Sequence, residues 1–386
     1  MEKTFLIVGA GFAGAVLARE LVEQMEDCYI EIIDERDHIA GNCHTEKDEE
    51  TGIMIHKYGP HIFHTSREDV WAYVNRFAAF GNYINRVKAV TEKGVFSLPL
   101  NLLTINQFFA KNFSPSEARV FFESIAASYK EEPRNFEEQA LKFCGKALYE
   151  NFFYGYTKKQ WGCEPTELPA SILQRLPIRF NYDDNYYNSK YQGIPLKGYT
   201  DLIQNMLNHS RISIVLNKTF ESIQNISRFT HIFYSGPIDK YFKYCEGALG
   251  YRTIYFEKSI ALGDFQGNAV INYTSLKVPH TRVHEHKHFT PWENFDKTVV
   301  FKEYSKETEK GDVPFYPKRL TTDKIILAKY FRLAENEKKL SFIGRLGTYR
   351  YLDMHQVIGE SLDFSKEVIN SVNKGTAIST FPVKIN

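Results

Sequence analysis

Three glycines near the amino terminus limit what this chain can fold into more than any other feature. Phe5 to Val8 form a continuous apolar run, the mark of a strand buried on both faces. Gly9, Gly11 and Gly14 follow at G-x-G-x-x-G spacing, and an amphipathic helical pattern continues from them. The first glycine permits a tight turn, the second lets a pyrophosphate approach the backbone, and the third lets helix and strand pack closely. Free N–H groups at the helix start then meet phosphate with the favourable end of the helix dipole. A second strand, Tyr29 to Ile33, ends at Asp34, twenty residues after Gly14, where a carboxylate can accept from a ribose hydroxyl. A plain strand-to-helix turn is the competing reading. The order strand, turn, helix, strand, acid favours a dinucleotide site.

At 386 residues the chain exceeds one simple core, so two or three domains are expected. The formal net charge is +1, without a long basic run, so a nucleic-acid role has no electrostatic support. No segment approaches the apolar length of a membrane span, and the first strand follows the initial Met without a leader, so a cytoplasmic protein is expected. Cys28, Cys43, Cys144, Cys163 and Cys245 are scattered and lack C-x-x-C spacing, which suits reduced thiols rather than a disulfide framework or zinc site. Aromatic content is high, with 30 Phe and 24 Tyr, much of it expected in the core; the exception is a polar, tyrosine-rich stretch from Asn181 to Gln192. That stretch suits a sugar or nucleobase surface, or equally a strand edge with solvated tyrosines.

The pattern along the chain predicts an α/β protein. A discontinuous Rossmann-type domain is expected over 1–80, 194–242 and 330–386. A helical domain is expected over 96–177 and an antiparallel sheet domain over 81–95, 178–193 and 243–329. Helical periodicity covers Asn106 to Lys111, Ser116 to Tyr129 and Phe136 to Tyr154, with starts at Ser114-Pro-Ser-Glu and Asn135-Phe-Glu-Glu. Pro165, Pro169 and Pro177 mark 163–177 as a surface loop able to move. Leu340 to Arg345 reads as a strand ending in glycine, and a helix starts at Asp353. Such a late strand–glycine–helix is a flavoprotein feature, with Arg345 able to neutralise a pyrophosphate; a plain connection is the alternative.

Candidate chemistry is sparse. His61 and His64 lack a third ligand nearby. On a continued strand Arg282, His284, His286 and His288 would share one face, with His280 close by; the arginine disfavours a cation there and a polar face around an anion fits better. No metal is expected at either place. No G-x-S-x-G elbow or P-loop is present. Glu303 and Asp353 cannot be paired from sequence, and Arg175 by itself reads as a solvated charge.

The chain resembles the bacterial UDP-galactopyranose mutases over nearly its whole length. The matching segments are HKYGPHIFHT at His56–Thr65, GYTKKQWG at Gly155–Gly162, QRLPIRF at Gln174–Phe180 and YQGIP at Tyr191–Pro195. FQGNAVIN at Phe265–Asn272, EHKHF at Glu285–Phe289, GRL at Gly344–Leu346 and YLDMHQ at Tyr351–Gln356 complete the set. The resemblance implies an enzyme that interconverts UDP-galactopyranose and UDP-galactofuranose for cell-surface polysaccharide, with FAD active when reduced. Its N5 is then the nucleophile at the anomeric carbon, and two arginines, Arg175 in a mobile loop and Arg282 on the sheet, stabilise the departing diphosphate. A charge-assisted bond to phosphate contributes about 1.5–3 kcal/mol, so losing either arginine costs about ten- to a hundredfold or more.

By the same resemblance, uridine falls to Phe152, Tyr156, Thr157 and Trp161, and diphosphate and sugar to Asn85, Tyr186, Asn272, Tyr316 and Tyr351. His64 stands beside the flavin as a catalytic group. FAD contacts carry over to Gly9, Gly11, Ala13, Gly14, Asp34, Glu35, Arg36, Gly41, Asn42, His61, Ile62, Arg345, Asp353 and Met354. A homodimer and a cellular reductant such as NAD(P)H are implied as well.

The chain departs from the family pattern at Ala40, where glycine is usual, and at Pro60, where a small residue is usual. Alanine is expected to cost little, because it fits most loop conformations; the proline stiffens a turn near the flavin. Phe315 and Leu352 stand where tyrosines are common. Mutases for UDP-N-acetylgalactosamine carry arginine at the place of His64, so histidine favours plain UDP-galactose. The rival readings are an FAD-dependent oxidoreductase of the amine-oxidase type, a mutase for UDP-N-acetylgalactosamine, and a binding protein without turnover.

Overall fold

A computed structural model describes residues 2–129, 131–175 and 177–383, with the side chains of Gln174 and Arg175 left aside. Its organising layer is a five-stranded, wholly parallel sheet. Spatial order runs Ile212–Val215, Cys28–Ile33, Lys3–Val8, His231–Tyr234 and Leu340–Phe342. Alternation along the first strand divides the core: Phe5 and Ile7 face one side, Leu6 the other. The Phe5 side is covered by helices Phe12–Gln24, Gly198–Leu207 and Met354–Lys374 through Val16, Leu21, Ile203 and Val368. The Leu6 side is covered partly by helix Thr321–Ala334 through Leu327 and Tyr330. Each fully buried side chain of this size contributes roughly 1.5–3 kcal/mol of transfer free energy. Strands gathered from chain positions 3 to 342 make this the discontinuous Rossmann-like unit that the sequence predicts.

The second layer is a seven-stranded sheet in the order Tyr316–Pro317, Tyr251–Leu262, Lys297–Glu307, Arg282–Glu285, Val270–Tyr273, Val87–Thr91 and Gly94–Leu98. All its pairs are antiparallel except Val270–Tyr273 with Val87–Thr91. One face carries the row Ala89, Asn272, Arg282, Glu303 and Phe256, each residue opposite the next across neighbouring strands.

Helices flank this sheet. Leu102–Phe109 begins earlier than its apolar spacing predicts, because the Asn101 side chain caps Thr104 N. Pro115–Ala127 starts at the Ser114 capping box, and Phe136–Leu148 starts where Asn135 caps Glu138 N. The predicted helix to Tyr154 is not one regular helix. Gly145 breaks it at φ 76°, and Tyr149–Tyr154 is π-helical before helix Gly155–Trp161.

The proline-bounded segment is less superficial than predicted. It holds two short 3-10 turns, Pro165–Glu167 and Ala170–Arg175, and Leu168 and Leu173 are both buried against the aromatic core.

Candidate active site

At the carboxyl end of the parallel sheet, Gly9 sits at φ 109° and turns the chain into helix Phe12–Gln24. A Cβ on Gly14 would stand 2.2 Å from the Gly9 carbonyl oxygen, so close helix–strand packing demands glycine there. No side chain caps this helix, whose first-turn N–H groups are left for a ligand. Ala13, in that first turn, faces Gly344. Gly41, at φ 53°, faces Gly11 across the mouth of the turn.

Asp34 is buried, taking the Ala10 N–H at 2.8 Å and the Arg36 N–H at 3.0 Å. Its remaining lone pairs still suit a ribose hydroxyl. Arg36 donates to Asn42 at 2.7 Å and lies 4.6 Å over the Tyr58 ring, while its buried Nη1 has no partner. An orphaned guanidinium nitrogen beside an uncapped helix start fits a bound dinucleotide. Glu35 instead is exposed and paired with Lys240 at 2.5 Å.

Ala40 corrects an expectation. It adopts φ 75° with its methyl buried, a left-handed conformation that costs an L-residue about 1–2 kcal/mol, so glycine's usual place there has a steric reason.

Between this turn and the seven-stranded sheet lies His61. Its Nδ1 donates to the Gly59 carbonyl at 2.8 Å, which leaves Nε2 as an acceptor, and burial lowers its pKa to about 4, so the ring is neutral at pH 7. Ile62 next to it is buried in the aromatic core. His64 stacks on Tyr187 at 3.7 Å, with Nδ1 2.9 Å from Ser189 Oγ and His355 at its edge. Met354 opens the long helix behind Asp353, whose main-chain N–H donates to Gln356 in a capping box.

The cation of the site is Arg282. Its Nε and Nη2 grip Glu303 at 2.9 and 2.7 Å, and Thr281 Oγ1 donates to the same carboxylate at 3.0 Å. Glu303 is fully buried, so the fork is locked in plane. The charge of Arg282 reaches Tyr156, Tyr187, Tyr316 and His61, so all four lie around it. Burial raises the Tyr156 phenol and pushes Tyr316 up to about 12, so both remain hydrogen-bond donors at pH 7. Tyr316 stacks on Tyr351 at 5.5 Å, and Arg345 lies over both rings while donating to the Leu352 and Phe315 carbonyls.

Asn85 and Asn272 are buried with Oδ1 unpartnered, and the Asn85 main-chain carbonyl accepts from Tyr186 N at 2.8 Å. Trp161 reaches Tyr316 at 6.5 Å and Thr157 is buried. Phe152 packs inside the core on Phe96 and Phe108. Arg175 ends a short turn, and its side chain lies outside the described residues.

The histidine face does not form as predicted. The strand stops at Glu285, and His286–Phe289 is a 3-10 turn. His284 and His286 are fully buried and held neutral, first by desolvation; His284 stays beside Arg282 with its Nε2 3.5 Å from Glu303, whereas His286 packs on Phe301 in the core. Motif reading missed Tyr187 and left Glu303 unpaired. The signal for Glu303 was its phase: Val299, Phe301 and Glu303 alternate on one strand, which aims an acid inward.

Fold and site together define a dinucleotide-binding α/β protein with a second, cation-centred chamber. Residues 7–77 match an NAD(P)-binding Rossmann-like domain, and residues 151–351 match the UDP-galactopyranose mutase family. A probable UDP-galactopyranose mutase of Klebsiella pneumoniae is 53% identical over 384 residues, covering 100% of this chain and 99% of that one. A dTDP-fucopyranose mutase of Escherichia coli is 50% identical over 372 residues, with coverage of 95% and 98%. The crystal structure of a reduced UDP-galactopyranose mutase shares the fold at a TM-score of 0.75 and 14% identity, covering 99% of each chain. This chain belongs to the UDP-galactopyranose mutase family and is an isomerase.

Proposed function

We propose that this enzyme interconverts the pyranose and furanose forms of UDP-galactose with FAD in its reduced state. The observation that supports it best is the placement of Arg282, locked by Glu303, within electrostatic reach of His61 and Tyr156. Reduced flavin, when bound, supplies a nucleophilic N5 for the anomeric carbon. Gly11, Gly14, Arg36, Gly41 and Asn42 would hold its pyrophosphate and ribose, and neutral His61, Asp353 and Met354 would border its ring system.

The remaining work belongs to the chain. Arg282, joined by Arg175, balances the charge that collects on the diphosphate as its bond to the sugar breaks. Phe152, Tyr156, Thr157 and Trp161 hold the base. Asn85, Tyr186, Asn272, Tyr316 and Tyr351 exchange hydrogen bonds with phosphate and sugar oxygens, and His64 stands at the sugar's edge. The Pro-bounded turns close over the ligand and exclude water. A homodimer in the cytoplasm, recharged by a reduced nicotinamide, completes the reading.

The 50% identity to a dTDP-fucopyranose mutase supports a second substrate reading, dTDP-fucose at the same site. One assay separates the readings: purified protein with dithionite is given UDP-galactofuranose, the furanose of UDP-N-acetylgalactosamine, or dTDP-fucofuranose, and products are resolved by chromatography. The expected result is UDP-galactopyranose as the main new peak. Faster turnover of either other nucleotide would reassign the sugar. A binding protein would give no new peak, and an oxidoreductase would consume reducing equivalents in step with product.

A further inference from the structure

Lys159 lies on the helix Gly155–Trp161, between the residues assigned to the base. Its Nζ is surrounded by four main-chain carbonyls: Tyr273 at 2.7 Å, Ser275 at 3.0 Å, Val278 at 2.8 Å and His280 at 2.8 Å. An ammonium has only three donors, so at least one N–H is shared. The Tyr273 carbonyl ends the strand Val270–Tyr273 and the other three lie in its connection to Arg282–Glu285; the facing pair of these two strands is Asn272 and Arg282. Among the described residues, no carboxylate stands within ion-pair distance of Lys159. Its charge is met by carbonyl dipoles alone, and burial lowers its pKa to about 8.

The same helix is tied to the sheet at two other points. The Gln160 carbonyl accepts from Arg252 Nε at 3.0 Å and Ser305 Oγ at 2.7 Å. A Cβ on Gly155 would stand 2.3 Å from the Thr274 carbonyl oxygen, so helix and connection touch backbone to backbone. A half-buried ammonium without a carboxylate partner, held by four carbonyls, fixes the spacing of the segments that supply them.

We infer that Lys159 is a positioning residue: by gathering the 273–280 connection around one ammonium, it sets the distance between the nucleotide-facing helix and the Asn272–Arg282 pair. The inference rests on the reading of these two segments as the base and diphosphate sites.

Three variants test it: Lys159→Ala, Lys159→Met and Lys159→Arg, each measured for KM, kcat, flavin absorbance, circular dichroism and UDP affinity by Trp161 fluorescence. The Ala variant is expected to raise KM and the UDP Kd about tenfold or more with kcat and flavin content little changed, because a displaced segment weakens binding before chemistry. It leaves a cage of carbonyl oxygens sized for a monovalent cation, so ammonium or potassium ions should restore affinity to Ala but not to Met. Arg keeps the charge, but its planar fork cannot converge on four carbonyls, so its KM also rises. Should the Ala variant fail to fold, the Arg variant decides. Wild-type KM and Kd in Arg, or in folded Ala, overturn the inference, as does affinity lost in Ala that neither ion restores. Wild-type protein that neither converts nor binds UDP sinks both this inference and the function proposed above; a wild type that does both, matched by its variants, sinks this one alone.

Discussion

The two ends of the site are built by opposite means. At the parallel sheet the proposed ligand surface is main chain: the uncapped start of Phe12–Gln24 and glycines at positions 9, 11, 14 and 41. At the seven-stranded sheet it is side chain, with Asn272, Arg282 and Glu303 brought into one row from three strands. A backbone surface tolerates almost no added volume, whereas a side-chain surface depends on charge and on neighbours distant in sequence. The first should therefore fail through shape and the second through chemistry.

Acid tests both ends at once and should have the largest effect. Burial holds His231 at about 4 and His286 at about 3, against an ordinary 6.5. The folded pKa values are depressed, so the stabilisation is complete above pH 6.5. It is lost as pH falls towards 4, because the unfolded chain takes up these protons first. Each group costs about 1.4 kcal/mol per pH unit within that window, so the urea midpoint should drop sharply between pH 7 and pH 4.5. A midpoint flat over that interval would show that these rings are already charged or solvated.

Arg282→Ala separates the ends. Turnover should fall about a hundredfold or more with bound flavin unchanged, since the lost interaction is charge-assisted and Glu303 is left buried without its arginine, with Thr281 Oγ1 still donating to it. Loss of the yellow colour from this variant would mean that the arginine supports the dinucleotide end instead.

Gly14→Ala is the converse. Its methyl must displace the Gly9 carbonyl or Ile7, at a cost of about 1–3 kcal/mol, and flavin occupancy should fall while UDP still quenches Trp161. Full flavin occupancy at unchanged thermal stability would refute the close-packing argument.

The smallest effect belongs to Ala40→Gly. Relief of about 1–2 kcal/mol of left-handed strain is offset by a lost buried methyl, about 0.8 kcal/mol, and by a looser unfolded chain, about 0.4–1 kcal/mol. The urea midpoint should hardly move. A large gain would mean that the methyl contributes nothing.

The same contrast explains what could be read before folding. Gly9, Gly11, Gly14 and Asp34 lie within a few dozen residues, and local spacing alone implies their geometry. Ser114 and Asn135 announced their helices for the same reason, because a cap needs only its own first turn. Arg282 and Glu303 meet only through strand pairing, so motif resemblance placed the arginine while nothing named its partner. His286 was misjudged because period-two alternation was carried past Glu285, where the strand had already ended, whereas His284 keeps its place on the strand but is closed off by burial. Ala40 was misjudged because its φ is set by contacts outside the residue itself.

The cross-strand row has a consequence for how such a chamber can change. Side chains alternate along a strand, so one residue inserted within Arg282–Glu285 would slip the register and swing the guanidinium to the opposite surface. Extra length added to the hairpin turn at 92–93 lies beyond the paired segments and leaves the row aligned. Insertion can accordingly restyle the outer turns of this sheet, whereas the cation's setting yields only to substitution.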